Sequence, residues 1–286
     1  MKSVLVCGSN GQLGQEIEKL KDKYSNLKFL LTDVDQLNIS KIEELEKFFE
    51  SNQIDVIINC AAYTAVDNAE DEPELAEKIN ATATRNLAEI AKLNNVKFIH
   101  ISTDYVFDGS ATSPIKETYP TNPQSVYGAT KLLGEKYFIE SGVDGIIIRT
   151  SWLYSTFGKN FVKTILNLSK TRDELKVVND QIGTPTNAQD LAKSILDICL
   201  FEGKPTANKI YHFSNEGVCS WYDFASEIVK YSLTECIVHP VGSEEFPTKA
   251  KRPAYSVLDK SLIKSDFNIE IPYWKESLHK CLDQLL

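Results

Sequence analysis

The sequence predicts an α/β fold: a Rossmann-like, doubly wound parallel sheet with a smaller, partly interleaved C-terminal lobe. Three observations predict it. Short apolar runs recur through the first 150 residues, helical patterns separate them, and a spaced set of glycines follows the first run. Runs of four to six residues without polar alternation are strands buried on both faces. Helices between such strands are the right-handed crossovers of a parallel sheet.

In order, "SVLVC" precedes the helical pattern "QLGQEIEKLKDKY", "LKFLLT" precedes "SKIEELEKFFESN", and "DVIINC" precedes "PELAEKINATATRNLAEIAKLN". "KFIHIS" leads through a long loop into a helix at "SVYGATKLLGEKY", and "DGIIIRTSW" closes the alternation. Within that helix Leu132, Leu133 and Tyr137 are expected on the buried side, and Glu135 and Lys136 on the wet one. The rhythm then loosens. A helix over 160–170, a strand at "ELKVV", the polar loop "NDQIGTPTN" and a helix through "QDLAKSILDICLF" are followed by a strand at "NKIYHFS". Ser220 is placed to cap a helix at "SWYDFASEIVKYSL", and an amphipathic helix ends the chain. Residues 1–150 are thus expected to form a dinucleotide-binding domain and 151–286 mainly a substrate-binding lobe, with a segment at about 171–185 returning to the first domain.

Composition narrows the function. With 42% hydrophobic and 25% charged residues, and no apolar run long enough to cross a bilayer, the chain has the make-up of a soluble protein and no membrane partner is expected. A net charge of −9 argues against a nucleic-acid surface, although it is compatible with a local basic pocket for one small phosphorylated ligand. The six cysteines show no C-x-x-C spacing and the four histidines no ligand spacing, so zinc is not expected. "MKSVLVCG" is too short for a signal peptide's apolar region, and a cytoplasmic location is expected.

Gly8, Gly11 and Gly14 lie after the first strand and across the start of the first helix. Gly8 suits a tight turn, Gly11 lets backbone approach a pyrophosphate, and Gly14 allows close packing of helix on strand. Their spacing, G-x-x-G-x-x-G, is one residue longer than the common dinucleotide fingerprint. Asp33, nineteen residues past Gly14, ends the second strand where a carboxylate accepts the adenosine ribose hydroxyls. It disfavours a 2′-phosphate, so NADH is expected over NADPH. Cys60, Ala61 and Ala62 are small residues at the third strand's end, with Tyr63 and Thr64 beyond them at the mouth of the same crevice.

The fourth strand ends in Ser102, Thr103 and Asp104, and Tyr127 follows on the next helix. A strand-end hydroxyl and a phenol can converge on one carbonyl oxygen, one donating a hydrogen bond and the other a proton. Lys131, four residues on, shares the phenol's helix face, and its charge is expected to draw the tyrosine pKa towards working pH. The same spacing recurs at Tyr24 and Lys28 without a preceding strand-end hydroxyl, and that pair is expected to be structural.

Taken together, the glycines, Asp33, the strand-end threonine and Y-x-x-x-K resemble the extended short-chain dehydrogenase/reductase superfamily. "GQLG", "AAYTAVDNAE", "STDYVFDG", "VYGATKLLGE", "RTSWLY", "NDQIGTPT", "YHFSNEGVCSWYDFA" and "RPAYSVLD" more narrowly resemble its dTDP-4-dehydrorhamnose reductase family, from residue 8 to about 259. The resemblance implies hydride transfer from NADH or NADPH to C4 of a dTDP-linked 4-keto-6-deoxy sugar. It implies Tyr127 as proton donor, Lys131 tuning it and holding the cofactor ribose, and Thr103 polarising the ketone. It places Gly11, Gln12, Leu13, Asp33, Asn38, Ile39, Ala62, Tyr63 and Thr64 around the cofactor, and Thr103, Asp104 and Trp152 at the sugar nucleotide.

Since such a substrate carries a diphosphate, Arg252 is the candidate cation for it, ahead of Lys251 and Lys159, with Asn179 and Gln181 as candidates for sugar or base hydroxyls. Sugar-nucleotide dehydratases place an aspartate and a glutamate after the strand-end threonine; here Tyr105 follows Asp104, against dehydration. Some reductases of the family bind magnesium between glutamates at a dimer interface. Glu16 stands at one matching position, but Gln189 stands at the other, which argues against Mg2+ and against that mode of dimerisation. A homodimer of another kind stays open. So do a reductase of another nucleotide-linked 4-keto-6-deoxy sugar and a non-catalytic NAD(P)-binding regulatory subunit.

Overall fold

The computed structural model describes residues 1–203 and 210–286. The first half runs β1 (Lys2–Cys7), α1 (Gln12–Leu20), β2 (Leu27–Thr32), α2 (Ile42–Ser51), β3 (Val56–Asn59), α3 (Val66–Ala69), α4 (Pro73–Glu77), α5 (Ala83–Leu93), β4 (Lys97–Thr103), α6 (Val126–Ser141) and β5 (Gly145–Thr150). There follow β6 (Leu153–Tyr154), α7 (Phe161–Ser169), β7 (Glu174–Val178), β8 (Ile182–Gly183), β9 (Thr186–Asn187), α8 (Ala188–Leu200), β10 (Ile210–His212), β11 (Cys219–Ser220), α9 (Trp221–Tyr231), β12 (Ile237–Val241), α10 (Ser261–Phe267) and α11 (Trp274–Leu282). Asn208 and Lys209, expected to open β10, lie outside the described residues.

Six strands form one parallel sheet in the order β2-β1-β3-β4-β5-β10. Chain direction across the sheet reverses between β1 and β3, and the carboxyl edge at such a switch point is where open α/β sheets bind ligands. The apolar runs are explained by burial on both faces. Val4 and Val6 join Ile17, Leu191 and Ile195 on one side, while Leu5 packs with Leu45, Leu87 and Phe138 on the other. Each fully buried Leu or Ile contributes about 1.5–3 kcal/mol relative to exposure.

A separate core holds the second lobe, with Tyr154, Leu166, Leu175, Phe224, Trp274 and Leu278 at its centre. The segment at about 171–185, expected to return to the first domain, adds no strand to the main sheet. Its β7 pairs with β12, and β8 with β11. The returning pieces are β10, which extends the main sheet beyond β5, and α8, which packs on α1 and sends Leu191 and Ile195 into the sheet's core. The segment stays away because β7 exposes Glu174 and Lys176 along one face. A central strand of the main sheet would have to bury them.

Candidate active site

Gly8 stands at φ +76°, and a Cβ there would meet the Ala61 backbone nitrogen at 2.6 Å. Gly14 brings α1 so close to the turn that a Cβ would lie 2.5 Å from the Gly8 oxygen. Both glycines are therefore dictated by geometry. Gly11 caps α1, and its backbone N–H donates to the Gly8 carbonyl at 3.1 Å. A cleft at the sheet's carboxyl edge is lined by Gly8, Gly11, Asp33, Asn38, Ile39, Cys60, Ala61 and Ala62. Eight expected cofactor residues thus come together in one place.

Asp33 is held towards the glycine turn, its Oδ2 accepting from the Asn10 N–H at 3.0 Å and its Oδ1 from the Val34 N–H at 2.8 Å. Asn38 Oδ1 accepts from the Ser40 N–H and hydroxyl. The other expected cofactor residues stand outside this lining. Leu13 sends its side chain into the core. Gln12 Oε1 accepts from Asn160 at 2.9 Å, Thr64 is exposed, and the Tyr63 hydroxyl bonds Glu72.

The residues expected to do the chemistry lie at the end of β4 and along α6. Ser125 caps α6 by accepting from the Gly128 N–H at 3.2 Å, and Gly142 ends the helix in the left-handed region. Thr103, Asp104, Tyr127 and Lys131 are all buried. Burial pushes the Tyr127 phenol up to about 12, against a hydrogen bond with Thr103 that lowers it. Lys131 is brought down to about 8 by burial, with Glu135 and Cys60 pulling the other way. Its Nζ donates to the Ile101 carbonyl at 2.6 Å and lies 3.4 Å from His100 Nε2. The expected lowering of the phenol by Lys131 is therefore not what this arrangement produces: burial dominates, and the ammonium turns to the strand. The Asp104 carboxyl is raised to about 6, mainly by burial, and its Oδ1 accepts from the Thr103 hydroxyl at 3.0 Å.

Trp152 follows β5 with φ +47°, and its ring stacks on Trp221 at 3.7 Å and 11°. Only a glycine fits opposite, since a Cβ on Gly183 would lie 2.7 Å from the Trp152 ring. Arg252, expected as the cation for a diphosphate, is paired with Asp67 through contacts of 2.7 and 3.2 Å. It lines a second cleft with Lys249, Lys251 and Gln181, but Lys159 is exposed elsewhere and Asn179 is used by its backbone. Tyr24, from the duplicated spacing, donates to Asp197 at 2.8 Å, far from both clefts.

Sequence reasoning misplaced Glu135. It is buried, and it accepts from Arg149 Nε at 2.9 Å and Nη2 at 2.6 Å as well as from the Ser102 hydroxyl at 2.5 Å. The inner face of α6 carries Tyr127, Lys131 and Glu135, whereas Leu132, Leu133 and Tyr137 are only half-buried. Extending the Tyr127–Lys131 spacing by one more turn would have found it. His100, which adjoins Lys131, and Asn59, which bonds His100, were also missed, because buried polar residues within apolar strands leave no periodic signal.

Residues 1–286 match the family model described as the RmlD substrate binding domain. A dTDP-4-dehydrorhamnose reductase of Aggregatibacter actinomycetemcomitans is 39% identical over 97% of this chain and 97% of its own. The crystal structure of a dTDP-4-dehydrorhamnose reductase from Clostridium acetobutylicum superposes with a TM-score of 0.94 at 46% identity, covering 99% of each chain. One from Bacillus anthracis, solved in complex with NADP, gives 0.93 at 38% identity over 99% of this chain and 100% of its own.

Proposed function

The chain belongs to the RmlD family of dTDP-4-dehydrorhamnose reductases, and from that membership we propose that it reduces the C4 ketone of dTDP-4-dehydro-6-deoxy-L-mannose to dTDP-L-rhamnose. One observation carries the reading: Thr103 and Tyr127 hydrogen-bond, with Lys131 one turn further along α6, at the carboxyl edge of the sheet that also forms the glycine-lined cleft. A nicotinamide dinucleotide fits that cleft. Gly11 leaves backbone accessible at a helix N-terminus, and Cys60, Ala61 and Ala62 leave room for a ring and ribose.

The bound cofactor supplies the hydride that reaches C4. Tyr127 donates its phenolic proton to the oxygen of the same carbonyl, so that the ketone takes up one hydride and one proton and becomes an alcohol. A phenol raised to about 12 stays protonated until the alkoxide forms, which suits a donor. Thr103 turns its hydroxyl proton from Asp104 to the same oxygen, and Lys131 holds the ribose. Trp152, backed by Trp221, offers the sugar an aromatic face, and Asp104 is the other residue we assign to the sugar. Arg252 serves the diphosphate by exchanging Asp67 for it. Asp33 favours NADH; the NADP complex belongs to the Bacillus anthracis relative. We place the chain in the cytoplasm. Among the described residues no helix is long and apolar enough to cross a membrane.

Loss of nicotinamide absorbance on mixing reduced cofactor, purified protein and the dTDP-4-keto sugar tests the reading. Turnover in the wild type and a fall of about 10²–10⁴-fold in Tyr127→Phe, with cofactor still bound, are expected. Cofactor binding without turnover in the wild type would favour the non-catalytic subunit instead.

A further inference from the structure

Behind Lys131 lies a buried polar row whose hydrogen-bond roles can be assigned from the backbone outward. The Ala61 N–H, which can only donate, reaches Asn59 Oδ1 at 3.1 Å. That fixes the amide's orientation and turns Asn59 Nδ2 towards His100 Nδ1, at 3.3 Å. An amide nitrogen is a donor, so Nδ1 must accept. His100 is fully buried, and burial together with the neighbouring Lys131 keeps the ring uncharged. A neutral imidazole has one acceptor and one donor. With Nδ1 committed to Asn59, the ring proton sits on Nε2, which faces Lys131 Nζ at 3.4 Å.

An ammonium at Lys131 therefore meets His100 donor to donor, whereas the uncharged amine offers its lone pair to the Nε2–H. The distances agree, since Nζ lies 2.6 Å from the Ile101 carbonyl, which accepts in either state, but stands off from the ring. The other charged or titratable groups around Nζ are Glu135 and Cys60, with Tyr127 one turn earlier on α6. Glu135 favours the ammonium, although its carboxylate is engaged by Arg149 and Ser102.

We infer that His100 is a positioning residue for Lys131: the Asn59–His100 pair presents a fixed N–H to Nζ, favours the uncharged amine, and so sets the pH at which Lys131 gives up its proton. The pH-rate part of this inference rests on the proposed reductase reading, in which the ammonium is the working form. Loss of the Lys131 proton then limits reduction on the alkaline side.

Two measurements test it. The first needs no turnover: ¹⁵N spectra of the histidine rings in the wild type, with His100 assigned by elimination from the three others. A neutral ring protonated on Nε2 is expected from about pH 6 to about pH 9; a proton on Nδ1, or an imidazolium in that range, would overturn the assignment. The second is the pH profile of kcat/KM for His100→Gln, whose carboxamide oxygen can accept from both Asn59 and Lys131. The alkaline limb is expected to move up by about one pH unit, the size of one buried donor contact replaced by a hydrogen bond. An unmoved limb would overturn the inference. Absence of turnover in the wild type would instead defeat the reductase reading, and the ring spectra would still decide the role of His100.

Discussion

Asp33 and Asp104 are both strand-end carboxylates, yet their surroundings give them different consequences. Asp33 is tied to the glycine turn through Asn10 and lines the cleft, where the proposed reading puts the adenosine ribose. In that reading Asp33→Ala removes a carboxylate that would repel a 2′-phosphate and accept from two ribose hydroxyls. The ratio of kcat/KM for NADPH to that for NADH is expected to rise about tenfold, roughly 1.4 kcal/mol, and an unchanged ratio would remove Asp33 from cofactor choice. Asp104 is buried, and its carboxyl is raised to about 6. The folded state thus binds this proton more tightly than the unfolded chain. The stability it contributes is complete below about pH 4 and is lost as pH rises through about 6. In Asp104→Asn that loss is absent. Urea unfolding at pH 4 and pH 7 should show the variant gaining about 2 kcal/mol relative to wild type between the two, an order-of-magnitude figure. A constant difference would mean that Asp104 is ionised in the fold.

Helix α6 joins the proposed chemistry to the core through one face. Glu135 and Arg149 form a bidentate pair between α6 and β5, with side chains 2% and 3% exposed, so solvent screening is slight. Glu135→Leu leaves a buried guanidinium unpaired and is expected to cost about 3–5 kcal/mol. Glu135→Leu with Arg149→Met removes both charges and should recover most of that loss in urea titrations. If the double variant is no more stable than the single, the cost comes from packing and not from charge. This pair also shows why α6 was only half legible. An amphipathic reading assigns glutamate to water, and it fails where a helix buries its charged side against an arginine offered by a strand. The Tyr127–Lys131 pair was legible because the strand-end Thr103 and the glycine turn supplied context for it. The duplicate at Tyr24 lacked that context and proved to bond Asp197.

At the scale of the whole molecule, legibility follows the size of the element. The six-stranded sheet showed itself as apolar runs because its strands are buried on both faces. The second lobe's pairings β11-β8 and β6-β9 involve two-residue strands, too short for any alternation to register. Contacts that join distant segments were equally hidden, above all those between 67–71 and 249–252. There Asp67 holds Arg252 and the Ala250 N–H, and Lys249 pairs with Asp71. The Asp67 and Arg252 side chains are 40% and 26% exposed, so their ion pair contributes no more than about 1 kcal/mol. A bond this weak can be exchanged for a substrate diphosphate, which brings more negative charge and more acceptors. Asp67→Asn should therefore leave stability within about 1 kcal/mol of wild type while lowering KM for the dTDP-sugar about threefold, because Arg252 no longer has to leave a carboxylate. Arg252→Ala should raise KM about tenfold, and adding Asp67→Asn to it should bring no improvement; that non-additivity is the mark of a shared partner. Steady-state KM values for the four proteins decide it, and a KM raised by Asp67→Asn alone would show that Asp67 positions Arg252 for the substrate and does not compete for it.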